Sequence, residues 1–269
     1  MQRRSFKVDA ITLSVAQGGS GRPFVFQHGL CGTADQAAQV FPKNSGFQCV
    51  TLECRGHGQS ECGSFADLTL ARLTQDLEAF IVSLNVGPIP VGGISMGAAI
   101  TMRLAVTRPD LVSGLVIARP AWVDSSAPDN LEANREVGRL LAQYSPKEAL
   151  ARFQQTPIAQ QLAREAPDNL ASLLGFFDRK PIDETEALLG RLSNDGTGIS
   201  KEQIMAIQCP TLIIATGRDA LHPLAMAREL ANLVPDARLV EIASKADNIG
   251  LYQSQFTAAL EQFFRDNQL

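Results

Sequence analysis

The sequence predicts an α/β fold, a parallel β-sheet wrapped by helices and interrupted once by a long helical insertion. Three observations carry this. Apolar strand-length runs alternate with helix-period segments over residues 23–118, which is the rhythm of strand–helix–strand units. Strand character then disappears over 121–205 and returns at 210. The chain has 269 residues, 45% hydrophobic and 19% charged, which suits one sizeable core carrying an insertion.

Each element has a local reason. "FKVDAITLSV" (6–15) alternates apolar and polar on both sides of Asp9-Ala10 and reads as a hairpin. "PFVFQH" (23–28) and "FQCVTLE" (47–53) are buried strands, with a short helix at 33–41 between them. Residues 68–84 place Leu70, Leu73, Leu77, Phe80, Ile81 and Leu84 at three- and four-residue steps, an amphipathic helix. "IPVGGI" (89–94) is a strand running into a helix at 95–106, and 111–118 is a strand again. Between 121 and 205 every periodic segment is a short helix set off by Pro and Asn-Asp turns. The alternation resumes with strands at 210–216 and 237–243 and helices at 222–234 and 253–264. The expected division is a core of 1–120 and 206–269 with a helical cap of 121–205.

Composition excludes several classes. Net charge is −4 and no Lys/Arg run makes a nucleic-acid footprint. The N-terminus lacks the apolar core of a signal peptide, and no apolar run reaches membrane-spanning length. The five cysteines are odd in number and irregularly spaced, without a CxxC pair. Reduced thiols and a cytoplasmic location are expected, with no metal and no cofactor. The expected partner is a small-molecule substrate, and a homodimer stays open.

The sharpest motif is G-x-S-x-G, Gly93-Ile94-Ser95-Met96-Gly97, at the end of an apolar strand and the start of a small-residue helix. In that context the serine sits on a strained turn above the sheet, where open α/β sheets bind ligands. The helix N-terminus behind it offers N–H groups to developing negative charge. The plainer reading is a glycine-rich turn with an N-cap serine.

With "FVFQHGLCG" and "LECRGHGQS", the elbow resembles the α/β-hydrolase superfamily, in its capped esterase and enol-lactonase-like branch. The resemblance spans nearly the whole chain and implies a mostly parallel eight-stranded sheet. It implies Ser95 as nucleophile and the N–H groups of Leu30 and Met96 as oxyanion hole. Such donors contribute roughly 3–4 kcal/mol each to the transition state. His28 and His57 read as loop-bracing residues, and Arg55 as a surface charge or loop anchor.

One element departs from the family pattern. The triad order is Ser, Asp, His, and "ATGRDALHP" supplies Asp219 as the acid. No histidine follows His222, and the usual position of the base falls near Asp247. Asp247 is an alternative base, but an ordinary carboxylate near pKa 4 is a weak one. His222, three residues after Asp219, has suitable chemistry if it comes within about 3 Å of the serine oxygen. Otherwise it is a loop histidine, and Asp219 an N-cap for the next helix.

The expected activity is hydrolysis of a small carboxylic ester or lactone through an acyl-enzyme on Ser95, with His222 as an atypical base. Alternatives are a binding protein on a degenerate site, or carbon–carbon bond cleavage on the same scaffold. At the cap entry, Arg119 is placed to bind a substrate carboxylate or to pair with Asp124 or Asp195. Trp122 is a pocket wall or a packing residue. Phe176 and Phe177 read as cap core or pocket lining, and the turn 193–198 as a neighbour of the mouth.

Overall fold

Gln2–Val8 (β1) and Ile11–Gly19 (β2) form the opening hairpin, turning at Asp9, whose φ is 50°. The computed structural model describes residues 1–43 and 45–269. Six strands follow: Arg22–Gln27 (β3), Phe47–Leu52 (β4), Ile89–Ile94 (β5), Val112–Ala118 (β6), Thr211–Thr216 (β7) and Ala237–Ile242 (β8). They join the hairpin in one eight-stranded sheet of order β1-β2-β4-β3-β5-β6-β7-β8. The β1–β2 and β2–β4 pairs are antiparallel, and the remaining pairs are parallel.

The inner strands are buried on both faces, as parallel strands require. Leu70–Leu84 (α2), Met96–Thr107 (α3) and Leu224–Leu233 (α10) pack on one face with Val91, Leu115 and Ile213. The other face is covered by Asp35–Ala38 (α1) and Ile249–Asp266 (α11). That face is aromatic: Phe24 meets Phe264 edge-on at 5.2 Å and Phe26 meets Phe256 at 6.2 Å, arrangements favoured by ring quadrupoles.

The segment between β6 and β7 is helical throughout its regular parts. It comprises Glu132–Gln143 (α4), Pro146–Gln154 (α5), Pro157–Glu165 (α6), Pro167–Gly175 (α7), Ile182–Leu192 (α8) and Lys201–Met205 (α9). Its helices enclose a separate apolar cluster that includes Val137, Phe153, Leu162, Leu173 and Phe177. Leu221, from the loop after β7, packs into the same cluster.

Two boundaries differ from the sequence reading. The helix expected over 33–41 is only Asp35–Ala38, and the chain then meets Pro42. The last helix begins four residues earlier than expected, at Ile249. Gly250 reads as a breaker, but the Asn248 side chain accepts the Leu251 N–H at 2.9 Å and caps the extra turn.

Candidate active site

β5 runs between β3 and β6 and delivers Ser95 at its carboxyl end. Ser95 has φ 57° and ψ −114°, and its N–H donates to the Ala118 carbonyl at 2.9 Å. The two motif glycines permit this turn. A Cβ on Gly93 would lie 2.3 Å from the Gly97 carbonyl carbon, and one on Gly97 would lie 2.3 Å from the Gln27 oxygen. Cys31 and Arg119 also hold positive φ, 57° and 45°. All three strained residues line one cavity, and backbone strain of this kind gathers at functional sites.

His222 lies in the loop before α10, which starts two residues later. Its Nε2 is 2.8 Å from Ser95 Oγ, and its Nδ1 is 2.8 Å from Asp219 Oδ1. The same Asp219 oxygen accepts the His222 backbone N–H at 3.2 Å. Asp219 therefore does not cap α10; it folds the loop back onto its own histidine. Burial pushes the His222 pKa down, against the Asp219 charge that raises it, so the ring is a neutral base at neutral pH. Burial opposes ionisation of Asp219, but His222 and Arg119 outweigh it and hold the carboxyl well below the usual range.

Arg119 is not paired with Asp124 or Asp195, the expected acids. Its Nε donates to Asp219 Oδ2 at 2.6 Å, and both side chains are buried. The reason is position: Arg119 follows β6 and Asp219 follows the adjacent β7, so both emerge at one sheet edge. Asp195 instead accepts the Leu70 N–H at 2.6 Å, at the start of α2.

The loop after β3 is held by the other two histidines. His28 Nδ1 lies 2.9 Å from the Gly29 carbonyl, and its Nε2 accepts the Cys54 N–H at 3.0 Å. His57 Nδ1 lies 2.8 Å from the Arg55 carbonyl, and its Nε2 accepts the Cys31 N–H at 2.9 Å. Both rings are thus neutral with the proton on Nδ1. Arg55 is a loop anchor, bidentate to buried Asp76 at 2.6 and 3.0 Å. Within the braced loop Gly29 N–H donates to Gln36 Oε1 at 2.7 Å. The next N–H, that of Leu30, has no hydrogen-bond partner among the described residues. Met96 is the first residue of α3, where backbone N–H groups lack helical partners.

Burial lowers the pKa of all three histidines. The unfolded chain takes up these protons near pH 6.5 and the folded chain only at lower pH. Stability is therefore fully present above about pH 6.5 and falls below it, by up to about 1.4 kcal/mol per pH unit for each histidine. Denaturant midpoints between about pH 7.5 and 5 check this; midpoints that stay level contradict it.

The cavity over Ser95 holds about 270 Å³, the size of a small ligand. Trp122 lines it and is buried, with its indole N–H donating to the Asp195 carbonyl at 3.0 Å. It is both wall and packing residue. Phe176 lines the cavity while Phe177 is cap core. Half-buried Cys31 also lines it, but burial pushes its thiol up to about 12, so it is not a thiolate at neutral pH. The turn 193–198 is not at the mouth. It seams cap to core through Trp122, Leu70 and the Val123 carbonyl, which accepts from Thr197 at 2.9 Å.

Asp247, the alternative base, does not line the cavity. The loop after β8 coils into a turn on the Ser244 carbonyl, and the Asp247 carboxylate pairs with Arg218 at 2.9 Å at the surface. Lys245 lines the cavity instead. Sequence reasoning also missed the clamp on the His222 loop. Asn169 Oδ1 accepts the Ala220 and Leu221 N–H groups at 2.8 and 3.2 Å. Arg218 donates to the Glu165 and Arg164 carbonyls at the end of α6, at 2.8 and 3.2 Å.

Among the described residues, no cluster of three or more His, Cys, Asp or Glu could hold a metal ion, and no helix is long and apolar enough to cross a membrane.

Residues 22–166 match the family model described as alpha/beta hydrolase fold. The "Putative non-heme bromoperoxidase BpoC" of Mycobacterium tuberculosis is 27% identical over 264 residues, 94% of this chain and 98% of that one. The "Putative carbamate hydrolase RutD" of Klebsiella pneumoniae is 30% identical over 202 residues, 73% of each chain. The enol-lactonase of Burkholderia xenovorans superposes with a TM-score of 0.75 at 21% identity, over 97% of this chain and all of its own. The matched region contains β3 through α6, including the braced loop and the elbow, and the superposition extends the likeness in fold to nearly the whole chain. The chain is a hydrolase belonging to the α/β-hydrolase fold family.

Proposed function

We propose that the protein is a serine hydrolase that cleaves a small carboxylic ester or lactone through an acyl-enzyme on Ser95. The observation that carries this is the relay from Ser95 Oγ through His222 to Asp219, with both contacts at 2.8 Å. Ser95 Oγ attacks the carbonyl carbon as its proton passes to His222 Nε2. Asp219 accepts from Nδ1–H, fixes the tautomer and stabilises the imidazolium. The Leu30 and Met96 N–H groups receive the oxyanion. Collapse expels the alkoxide, protonated by His222; water then repeats the cycle on the acyl group and frees Ser95. The cap shields these steps from bulk water. A site retained only for binding has no need of a buried neutral base on a strained serine, which favours the enzyme over a degenerate binder.

A fluorophosphonate probe tests the proposal. Ser95 is expected to label, and Ser95→Ala to label not at all. Both labelling and kcat/KM for a short ester are expected to rise with pH through an apparent pKa below 6.5, then level off, because only neutral His222 accepts the proton. A folded wild-type protein that does not label rejects the proposal.

A further inference from the structure

We propose that the substrate carries a carboxylate beside its reacting carbonyl, and that Lys245 and the free edge of Arg119 bind it. This rests on the hydrolase reading above and names the substrate class.

Lys245 follows β8, in the stretch where the family places its base. With the base moved to His222, a cation occupies this wall. Lys245 is half-buried and lines the same cavity as Ser95. No carboxylate lies within 4.0 Å of its ammonium group among the described residues, and its Nζ sits over the Tyr252 ring, 5.0 Å from the centroid. Neighbouring cations differ: Arg218 has Asp247, and Arg119 has Asp219. A structural lysine would be paired or would extend its head to solvent. Burial and the neighbouring Arg119 charge push its pKa down, and Asp168 and Asp219 oppose this from a distance without bonding it, so an anion bridging both cations would relieve their repulsion.

Arg119 uses Nε on Asp219, and its two terminal nitrogens make no hydrogen bond to a second carboxylate or to a carbonyl among the described residues. Its guanidinium stacks toward Tyr252 at 6.0 Å, and the buried Tyr252 hydroxyl lies against it. A planar guanidinium with its terminal donors unused is suited to a carboxylate. Among the described residues no Asp or Glu lines the cavity. Asn134, only 4% exposed, also lines it, and its amide oxygen has no partner. That oxygen is an acceptor, suited to a hydroxyl or amide donor elsewhere on the same ligand. An anion is the ligand that complements Lys245 and the terminal nitrogens of Arg119 on this wall. In a cavity of about 270 Å³ the anion and the scissile carbonyl belong to one small molecule.

Methyl ester hydrolysis tests this, with monomethyl glutarate compared against methyl pentanoate. The half-acid is expected to be favoured in kcat/KM by about tenfold or more, through KM. Lys245→Gln should bring the ratio near unity, and Lys245→Arg should restore most of it. Equal rates in the wild type, or a preference that survives Lys245→Gln, overturn the inference while leaving the hydrolase reading intact. If Ser95 does not label and neither ester reacts, the hydrolase reading has failed. Calorimetric titration with glutarate then decides alone: binding abolished by Lys245→Gln supports the anion site, and no binding, or binding that persists in Lys245→Gln, overturns it.

Discussion

Replacing His222 with alanine is expected to lower kcat for a short ester by about 10⁶-fold, close to the loss from Ser95→Ala. The reasoning is local. Among the described residues Ser95 Oγ has one base within hydrogen-bond reach, the His222 Nε2 at 2.8 Å. Without it the serine keeps its proton, and the oxyanion donors alone retain only the residual catalysis seen when a triad is broken. The double variant should be little worse than either single one, because nucleophile and base act as a unit. Asp247→Ala is the discriminating partner experiment. That carboxylate is occupied by Arg218 at the surface, so its loss should cost no more than a few-fold. A comparable collapse in Asp247→Ala, with His222→Ala still active, would move the base to the other loop.

Replacing Arg119 with methionine is expected to destabilise the fold by about 3 kcal/mol, the low end of the cost of breaking a buried ion pair, because Asp219 keeps its two contacts with His222. Its Nε reaches Asp219 Oδ2 at 2.6 Å, and the Asp219 side chain is 1% exposed. The deficit should depend on pH. In the wild type, the Asp219 carboxyl is held below its unfolded value. Its contribution is complete above about pH 3.9 and is lost only as pH falls through the lower folded value. In the variant that depression shrinks. The gap between variant and wild type is therefore largest near neutral pH and narrows in acid. Denaturant unfolding of both proteins across that range measures it. Lysine at 119 should recover only part, since a point charge cannot keep the same planar contact.

Much of the fold is legible because its signals are local. β5 running into Ser95 and α3 reads directly from "IPVGGISMGAAI", since the two glycines are needed within a few residues of the turn they permit. The helical nature of 121–205 follows from its periodicity. Asp219 and His222 were nameable from spacing. Their reach was not, because it depends on where α10 begins and on Asn169, 51 residues upstream, holding the loop. The Arg119–Asp219 pair joins positions 100 apart and is set by strand order alone. Lys245 left one faint trace. It is the cation nearest the place vacated by the family's histidine, and asking what fills that place would have found it before Asp247.

The clamp on the loop after β7 has a consequence for how substrate enters. Asn169, Arg218 and Leu221 tie the base-bearing loop to α6 and α7 by four hydrogen bonds and an apolar contact. Those helices cannot swing away from the sheet without carrying His222 off Ser95. Opening along that seam would therefore switch the nucleophile off. On the proposed mechanism Ser95 is armed only while that seam is shut, and traffic through an opened seam would meet an inert serine.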